Sequence, residues 1–487
     1  MIFLKFLVTG LFTALLFPPY FFLPIGFIIF PYLTFLILKL DSKSYFLNYF
    51  LCGFLYFFGF LSIFLIWIIN PFFVYESTKD YAFLSFILIF LISFIFGVSF
   101  ILFKYINNLF LKIIFLPSLF VCFELLISNF WFGFPWISFA LIISNNFIGL
   151  FFLKFFGSHF VSFLVIIIYI FPIFFFYRKE KYLKKKFLYS VPVFFLIVTI
   201  SFYIINLNNI IEKKEKNISF EIFQINKPLI IKNEKRSESY KSIISLIKKS
   251  EADIIIFAEN NFPYIIENKD DLKIGDYLKE NQTLIIGATR IEKNKFYNTF
   301  VSINKNSVKF FDKKYLVPFG EFLPFRKYLN FMEMIAGSND YSKGENPRLI
   351  NISNEISIVP IICYEILFFW KLLDKQNNQS DLLINITNDS WFGKHSGPYQ
   401  HFYLSKMRAA EFNKPLIRVS NNGISAIINS DGKNLISSNL NEKTRIKYEL
   451  TFNNKNSYLS YHIYFRILVV ILFIFILIIS FKKNYEQ

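Results

Sequence analysis

Residues 358–367 read IVPIICYEIL, an apolar run that ends in a thiol, a phenol and a carboxylate. The run does not alternate apolar with polar, so it suits a strand covered on both faces rather than one with a solvated side. Cys363 stands where that strand should end. The chain has 3 cysteines, and the other two, Cys52 and Cys122, lie in long apolar stretches where a thiol is ordinary packing. Cys363 therefore has no partner in its own domain for a disulfide. It is either inert through burial or a nucleophile.

Outward from that run, the sequence is sorted by polarity. Of 487 residues, 55% are hydrophobic and 21% aromatic, with 70 Phe, well beyond a soluble globular domain. Residues 1–210 are almost continuously apolar, 211–460 are mixed and charged, and 464–481 are apolar again. The net charge of +18 does not point to nucleic acid, because the basic residues form no aromatic-interleaved patch. The densest basic run, 178–186, sits between apolar stretches, as a cytoplasmic loop does.

Apolar stretches of about 20 residues cross a bilayer as helices, because lipid offers no partner to backbone N–H and C=O. Spans are expected near 2–17, 20–40, 46–69, 82–104, 108–128, 156–177, 187–206 and 464–481. The first is short and ends at Pro18-Pro19, and no small-residue cleavage site follows it, so it reads as a helix and not a signal peptide. Segment 130–155 is interrupted by Gly and Pro and reads as interfacial, re-entrant or part of a further span. Lys5, Lys39 with Lys43, Lys104 with Lys112, the 178–186 run and Lys482-Lys483 fall on alternate loops. That pattern puts the charged block opposite the cytoplasm. The expected domains are 1–210, a membrane part of about seven helices, 217–455, an extracytoplasmic domain, and 464–481, a closing membrane helix.

Within 217–455, strand-like runs recur at Ile218–Ile225, Asp253–Ala258, Thr283–Gly287, Asn298–Ile303, Glu355–Ile362, Leu382–Asn388, Pro415–Ser420 and Ile424–Asn429. Amphipathic helical stretches fall at Ser237–Lys249 and Pro398–Phe412. Apolar strands alternating with helices give an α/β class. Three runs end in a reactive side chain: DIIIFAEN brings Glu259, KFFDKKYLVPFGEFLP brings Lys313 with Glu321 beyond a glycine, and IVPIICYEI brings Cys363 with Glu365. A carboxylate that takes a thiol proton, an ammonium that favours thiolate and oxyanion, and a sulfur that attacks a carbonyl are the parts of acyl transfer.

Taken together, Glu259, KKYLVPFGE beginning at Lys313, CYE at 363–365, LVPFGEFLP (316–324), NDSWFG (388–393), RAAE (408–411), NNG (421–423) and FGFPW (132–136) carry a resemblance. The chain resembles the apolipoprotein N-acyltransferase family, the membrane-embedded branch of the nitrilase superfamily, over essentially its whole length. The resemblance implies an αββα sandwich carried outside the cytoplasmic membrane on about eight transmembrane helices, consistent with the span count above. It implies Cys363 as nucleophile, Glu259 as general base, and Lys313, with the backbone N–H of Tyr364, as the oxyanion site. Glu321 and Glu365 would shape and polarise the site, and Tyr364 would pack beside it. A phospholipid would donate an acyl chain as a thioester, and the α-amine of a diacylglyceryl-modified N-terminal cysteine of an apolipoprotein would receive it. No cofactor is implied, and a monomer in the bacterial inner membrane is expected, with its catalytic domain on the periplasmic side. Asn260, Asn261 and Phe262 depart from the Thr or Ser and then Ala common in the family before Pro263.

Trp131 and Trp136 are read as an interfacial shelf for lipid, against an ordinary aromatic belt. His159, His395, His401 and His462 show no ligand spacing with carboxylates or thiols, so no metal site is expected. Of these, His395 and His401 read as surface or satisfied core. Arg408 and Glu411 have the spacing of a helical ion pair. Glu124 and Lys154, near expected helix ends, read as snorkelling side chains. The rival readings are a membrane-tethered amidase, which would release free acid, and a non-catalytic scaffold or transporter.

Overall fold

The computed structural model describes residues 1–40, 45–176, 215–228, 235–329, 332–333, 337–352, 356–374, 377–453 and 457–485. The expected span at 187–206 and the basic run 178–186 lie outside the described residues. The chain divides into two compact units. One is Met1–Trp67, Phe83–Ile211 and Tyr458–Gln487; the other is Ile68–Ala82 and Glu212–Ser457.

The first unit is helical: α1 (Ile2–Thr13), α2 (Gly26–Leu38), α3 (Phe46–Phe64), α4 (Leu84–Phe100), α5 (Leu109–Asn129), α6 (Phe147–Ile170) and the single turn α7 (Ile173–Phe176). Among the described residues, five helices are long and apolar enough to cross a membrane: Phe46–Phe64, Glu76–Tyr105, Leu109–Asn129, Phe147–Ile170 and Tyr461–Lys482. Ile2–Leu16 and Leu23–Leu38 are shorter and apolar. Phenylalanine builds this core. Phe57 stacks on Phe96 at 4.1 Å, and Phe120 meets Phe139 edge-on at 4.6 Å.

The broken segment 130–155 is resolved by a buried acid. Glu124 Oε1 accepts the N–H of Phe139 at 2.7 Å, and Oε2 accepts from Ser162 Oγ at 3.1 Å. Phe139 opens a 3₁₀ turn, Phe139–Ile143, and α6 begins at Phe147. The last third of the segment therefore belongs to the next span. Glu124 is only 2% exposed, so it does not snorkel. It supplies the acceptor that a re-entrant turn needs inside an apolar bundle.

The second unit holds two sheets. The seven-stranded sheet has the order β13-β1-β2-β4-β5-β6 with β3 beside β4. Its strands are β1 (Lys216–Gln224), β2 (Ile254–Phe257), β3 (Ile265–Ile266), β4 (Thr283–Glu292), β5 (Lys295–Asn304), β6 (Ser307–Asp312) and β13 (Thr444–Phe452). The six-stranded sheet runs β12-β11-β10-β9-β8-β7. It is built from β7 (Ile350–Asn351), β8 (Ser357–Ile362), β9 (Leu382–Thr387), β10 (Leu416–Ser420), β11 (Ala426–Ile428) and β12 (Asn434–Ser437). In each sheet the central strands are parallel: β1, β2 and β4 in one, β8, β9 and β10 in the other. Every residue of β2, β9 and β10 is buried, which is why those runs read as continuous apolar stretches.

Helix α8 (Arg236–Lys248) lays Ile243 and Ile247 on Phe223, Ile255, Phe257, Leu284 and Val301 of the first sheet. Helix α9 (Ser396–Phe412) adjoins β10 of the second. Strands β1, β2 and β5 face β10 and β8, so the layers are helix, sheet, sheet, helix. The expectation that 398–412 is amphipathic fails: Gln400, His401, Ser405, Arg408 and Glu411 are all buried. Arg408 pairs with Glu411 there and lies over Phe369. A mostly buried helix can carry such polar groups only because each finds a partner.

The closing helix α10 (Leu459–Tyr485) packs in the first unit, with Phe465 against Phe156 and Phe473 against Phe115. It meets α6 at a break. Gly157 has φ 72, a left-handed value inside a helix, and a Cβ there would come within 2.8 Å of the His462 ring. The break frees the carbonyl of Lys154, and His462 Nε2 donates to it at 2.9 Å.

Candidate active site

Three loops that follow strand ends supply the site. Glu259 follows β2, Lys313 follows β6 and Cys363 follows β8. All three side chains are buried, and they come together. Glu259 Oε1 is 3.6 Å from Lys313 Nζ. The Cys363 thiol faces the Glu259 carboxyl group. Cys363 has φ 48, a backbone value uncommon for a residue with a Cβ, so its surroundings must hold it.

Glu321 belongs to the same cluster. Its Oε1 is 2.8 Å from Lys313 Nζ, and its Oε2 accepts the N–H of Val317 at 2.8 Å. Asn298 ties the two acids together, donating from Nδ2 to Glu259 Oε1 at 2.7 Å and to Glu321 Oε1 at 2.8 Å. The other Glu259 oxygen accepts the backbone N–H of Asn388 at 2.8 Å. The NDSWFG loop therefore holds Glu259 from the second sheet. Phe392 in that loop accepts from Asn70 Nδ2 at 3.2 Å, in the Ile68–Ala82 stretch that packs with this unit.

Glu365 does something different from what its position beside Cys363 suggested. Its Oε1 accepts from Arg348 Nη2 at 2.7 Å and from the Lys314 N–H at 2.8 Å; its Oε2 accepts from Arg348 Nη1 and the Ile362 N–H, both at 2.9 Å. None of these four bonds runs to the side chain of Glu259, Lys313 or Cys363. It fixes the backbone next to Lys313 and next to Cys363, so it braces the site and does not polarise it. Tyr364 is buried and packs edge-on against Phe368 at 5.3 Å.

Charge in the cluster follows burial and neighbours. Burial pushes the Cys363 thiol above the ordinary thiol range, the carboxylate of Glu259 adds to this, and Lys313 opposes it. Burial also raises Glu259 above the usual carboxylate value, against Lys313. For Lys313, burial disfavours the charge, but Glu321 and Glu259 outweigh it and keep the ammonium charged. Burial thus pushes both the thiol and the Glu259 carboxyl group toward their neutral forms, and the Lys313 ammonium, 3.6 Å from Glu259, opposes it at both.

Trp131 and Trp136 lie in the helical unit and part company there. Trp136 is 1% exposed against Trp67, at 4.3 Å between rings, while Trp131 is 60% exposed with φ 56. A shelf made of both is not what the fold presents, because Trp136 is core. His401, placed between surface and satisfied core by its sequence, is core, and His395 is exposed.

The match to known proteins covers both units. Residues 9–171 match the family described as Apolipoprotein N-acyltransferase N-terminal domain, and residues 224–456 match Carbon-nitrogen hydrolase. The apolipoprotein N-acyltransferase of Rickettsia prowazekii (strain Madrid E) is 31% identical over 466 residues, 90% of this chain and 89% of that protein. This chain belongs to the apolipoprotein N-acyltransferase family. Its relatives in Rickettsia typhi (44% identical) and Brucella suis biovar 1 (35% identical) match over 153 and 220 residues. Those alignments span 31% and 41% of either chain, so the chain covers well under two thirds of those relatives' length. Among solved structures, a carbon-nitrogen hydrolase superfamily protein of Xanthomonas campestris aligns with 13% identity and a TM-score of 0.38, over 48% of this chain and 91% of that one.

Within this N-acyltransferase family member, several site residues were not singled out from sequence. Asn298, Arg348, Thr387, Asp389 and Arg418 are all buried. A signal existed for two of them: Asn298 and Arg418 are polar side chains inside otherwise apolar strand runs, where strands disfavour Asn and cores disfavour Arg. Arg348 lies in a stretch without periodicity, and nothing local marks it.

Proposed function

We propose that this chain transfers a fatty acyl group from a phospholipid to the α-amine of a diacylglyceryl-cysteine at the N-terminus of an apolipoprotein, through a thioester on Cys363. The observation that carries the reading is the buried thiol of Cys363, held in a left-handed strand-end turn facing Glu259, with Lys313 3.6 Å from Glu259. Glu259 takes the thiol proton as sulfur attacks the ester carbonyl. Lys313 and the backbone N–H of Tyr364 stabilise the oxyanion. Collapse breaks the ester C–O bond, Glu259 returns the proton to the leaving alkoxide, and lysophospholipid departs. The amine then attacks the thioester, Glu259 accepts its proton, and the thiol is restored as the amide forms.

Exposed Phe325 and Tyr328, in the loop just beyond Glu321, favour a lipid as the donor. Burial of acyl chains also argues for a membrane-bound site, since exposing each CH₂ costs about 0.8 kcal/mol. The protein acts as a monomer in the inner membrane with this domain on the periplasmic side, in keeping with the alternation of basic loops. Intact-mass spectrometry after incubation with phosphatidylethanolamine tests the reading. A fatty-acyl increment that hydroxylamine removes, and that Cys363→Ala lacks, is expected. Release of free fatty acid with no transfer to a peptide amine would sink the transferase in favour of an amidase.

A further inference from the structure

Beneath Cys363 lies a buried polar cluster that the acyl-transfer steps do not use. Strands β8, β9 and β10 run parallel, with Ile362 opposite Ile386 and Thr387 opposite Ser420. Cys363 and Thr387 are therefore neighbours at the carboxyl edge of the sheet, where α/β proteins place their chemistry. Thr387 Oγ1 is 3.0 Å from Asp389 Oδ1, and the same hydroxyl lies beside the Cys363 sulfur.

Asp389 is fixed without help from Thr387. Arg418 Nη2 donates to Oδ2 at 2.6 Å, His401 Nδ1 lies 2.8 Å from Oδ1, and Ser420 Oγ donates to Oδ2 at 3.3 Å. A Cβ at Gly423 would come within 2.0 Å of that carboxylate, so only glycine lets the NNG turn close over it. Asp389, His401 and Arg418 are 0% exposed. The carboxylate, held charged by Arg418, is thus a permanent acceptor one hydroxyl away from the nucleophile.

A threonine hydroxyl carries one proton and can serve one acceptor at a time. While Cys363 is a thiol, its own proton points to Glu259 and its sulfur is a weak acceptor, so the Asp389 carboxylate takes the Thr387 proton. Once Glu259 has removed the thiol proton, the sulfur becomes a charged acceptor and competes for that donor. It needs one. The groups facing Cys363 are Glu259 from the loop after β2, Lys313 from after β6, Asp389 from after β9, and His401 of α9 against the Cys363 backbone. Among these Lys313 is the cation, and it is drawn to Glu321.

We propose that Thr387 is a catalytic residue, a switchable donor that serves Asp389 in the thiol and thioester states and turns to Cys363 Sγ in the thiolate state. No proton leaves Thr387; the hydroxyl rotates, and Asp389 keeps Arg418, His401 and Ser420. This rests on Cys363 being the nucleophile of the reaction proposed above.

The test uses the full chain in mixed micelles with phosphatidylethanolamine, comparing wild type, Thr387→Val, which keeps the shape without the hydroxyl, and Thr387→Ser, which keeps the hydroxyl. Iodoacetamide labelling of Cys363 against pH, read by peptide mass spectrometry, reports the thiolate. Single-turnover thioester formation reports the chemistry. Thr387→Val is expected to raise the apparent thiol pKa by about one unit and slow thioester formation about 10- to 100-fold, the scale of a hydrogen bond to a charged group. Thr387→Ser should stay within about threefold of wild type. Valine matching wild type in both readouts, or serine as slow as valine, overturns the proposal. Labelling still decides the role of Thr387 if wild type gains no acyl group, an outcome that defeats only the lipid-donor reading.

Discussion

Lys313 Nζ lies 2.8 Å from Glu321 Oε1, closer than its 3.6 Å to Glu259, and Asn298 bridges the two acids. The lysine is therefore oriented mainly by Glu321, which in the proposed mechanism leaves Glu259 to exchange protons with the thiol. Glu321→Gln keeps the shape and removes the charge. Thioester formation should slow by about 10- to 100-fold, the cost of losing a charged hydrogen bond. Stopped-time mass spectrometry of the acyl-enzyme checks it; a rate equal to wild type would show that Lys313 is positioned by Glu259 alone.

The acid limb of acylation should report Glu259. Its folded value is raised above the ordinary 4.5, chiefly by burial, and it must be ionised to accept the thiol proton. The rate should therefore fall as pH drops through a value above 4.5, not below it. A pH series of single-turnover rates reads this directly.

Stability has the opposite lever. Glu365 is held below the ordinary 4.5: burial raises it, but Arg348 and the backbone donors outweigh that. A carboxylate with a depressed folded value contributes stability that is complete above its unfolded value and is lost as pH falls through the folded one. The catalytic domain should thus keep its denaturation midpoint down to about pH 4.5 and lose stability progressively below it. Chemical denaturation of wild type from pH 7 to 3 checks the window.

Breaking the same pair at neutral pH should be costly. Arg348→Met leaves a buried carboxylate without its cation and should destabilise the domain by about 3–5 kcal/mol. The double change Arg348→Met with Glu365→Leu should not restore stability, since the N–H groups of Lys314 and Ile362 then lose their acceptor. Full recovery in a thermal melt would mean that Glu365 braces nothing.

In the helical unit, Glu124→Ala should lower the melting temperature by leaving the Phe139 N–H unpaired, at a cost of about 1–3 kcal/mol. Glu124→Gln retains an acceptor and should lose less. Equal melts for both variants would remove Glu124 as the anchor of the 130–155 turn.

The comparison of sequence with structure turns on particular residues. Runs such as IIIF, LLINIT and IVPII announced the parallel strands because a strand covered on both faces has no polar side to show. Strands β3, β7, β12 and β13 were not foreseen. The pattern in TRIKYELTF, in which only Ile446, Leu450 and Phe452 are buried, is a weak local signal that pairing with β1 makes into a strand. The shift of the sixth span's start to Phe147 was hidden because Glu124 and Phe139 are distant in sequence, and the hydrogen bond between them exists only in the fold.

What the sequence alone determined is the division into apolar and charged blocks, the α/β class, and the candidates Glu259, Lys313 and Cys363 at strand ends. Each is a local property, readable from period, composition and the residue that ends a run. Tertiary structure alone decided that Glu365 braces backbone through Arg348, that Trp136 is core, and that Thr387 stands between Cys363 and Asp389. Those roles depend on which strand ends become neighbours in a sheet and how deeply a polar group is buried. Both are set by chain segments far apart in sequence, and a linear pattern carries neither.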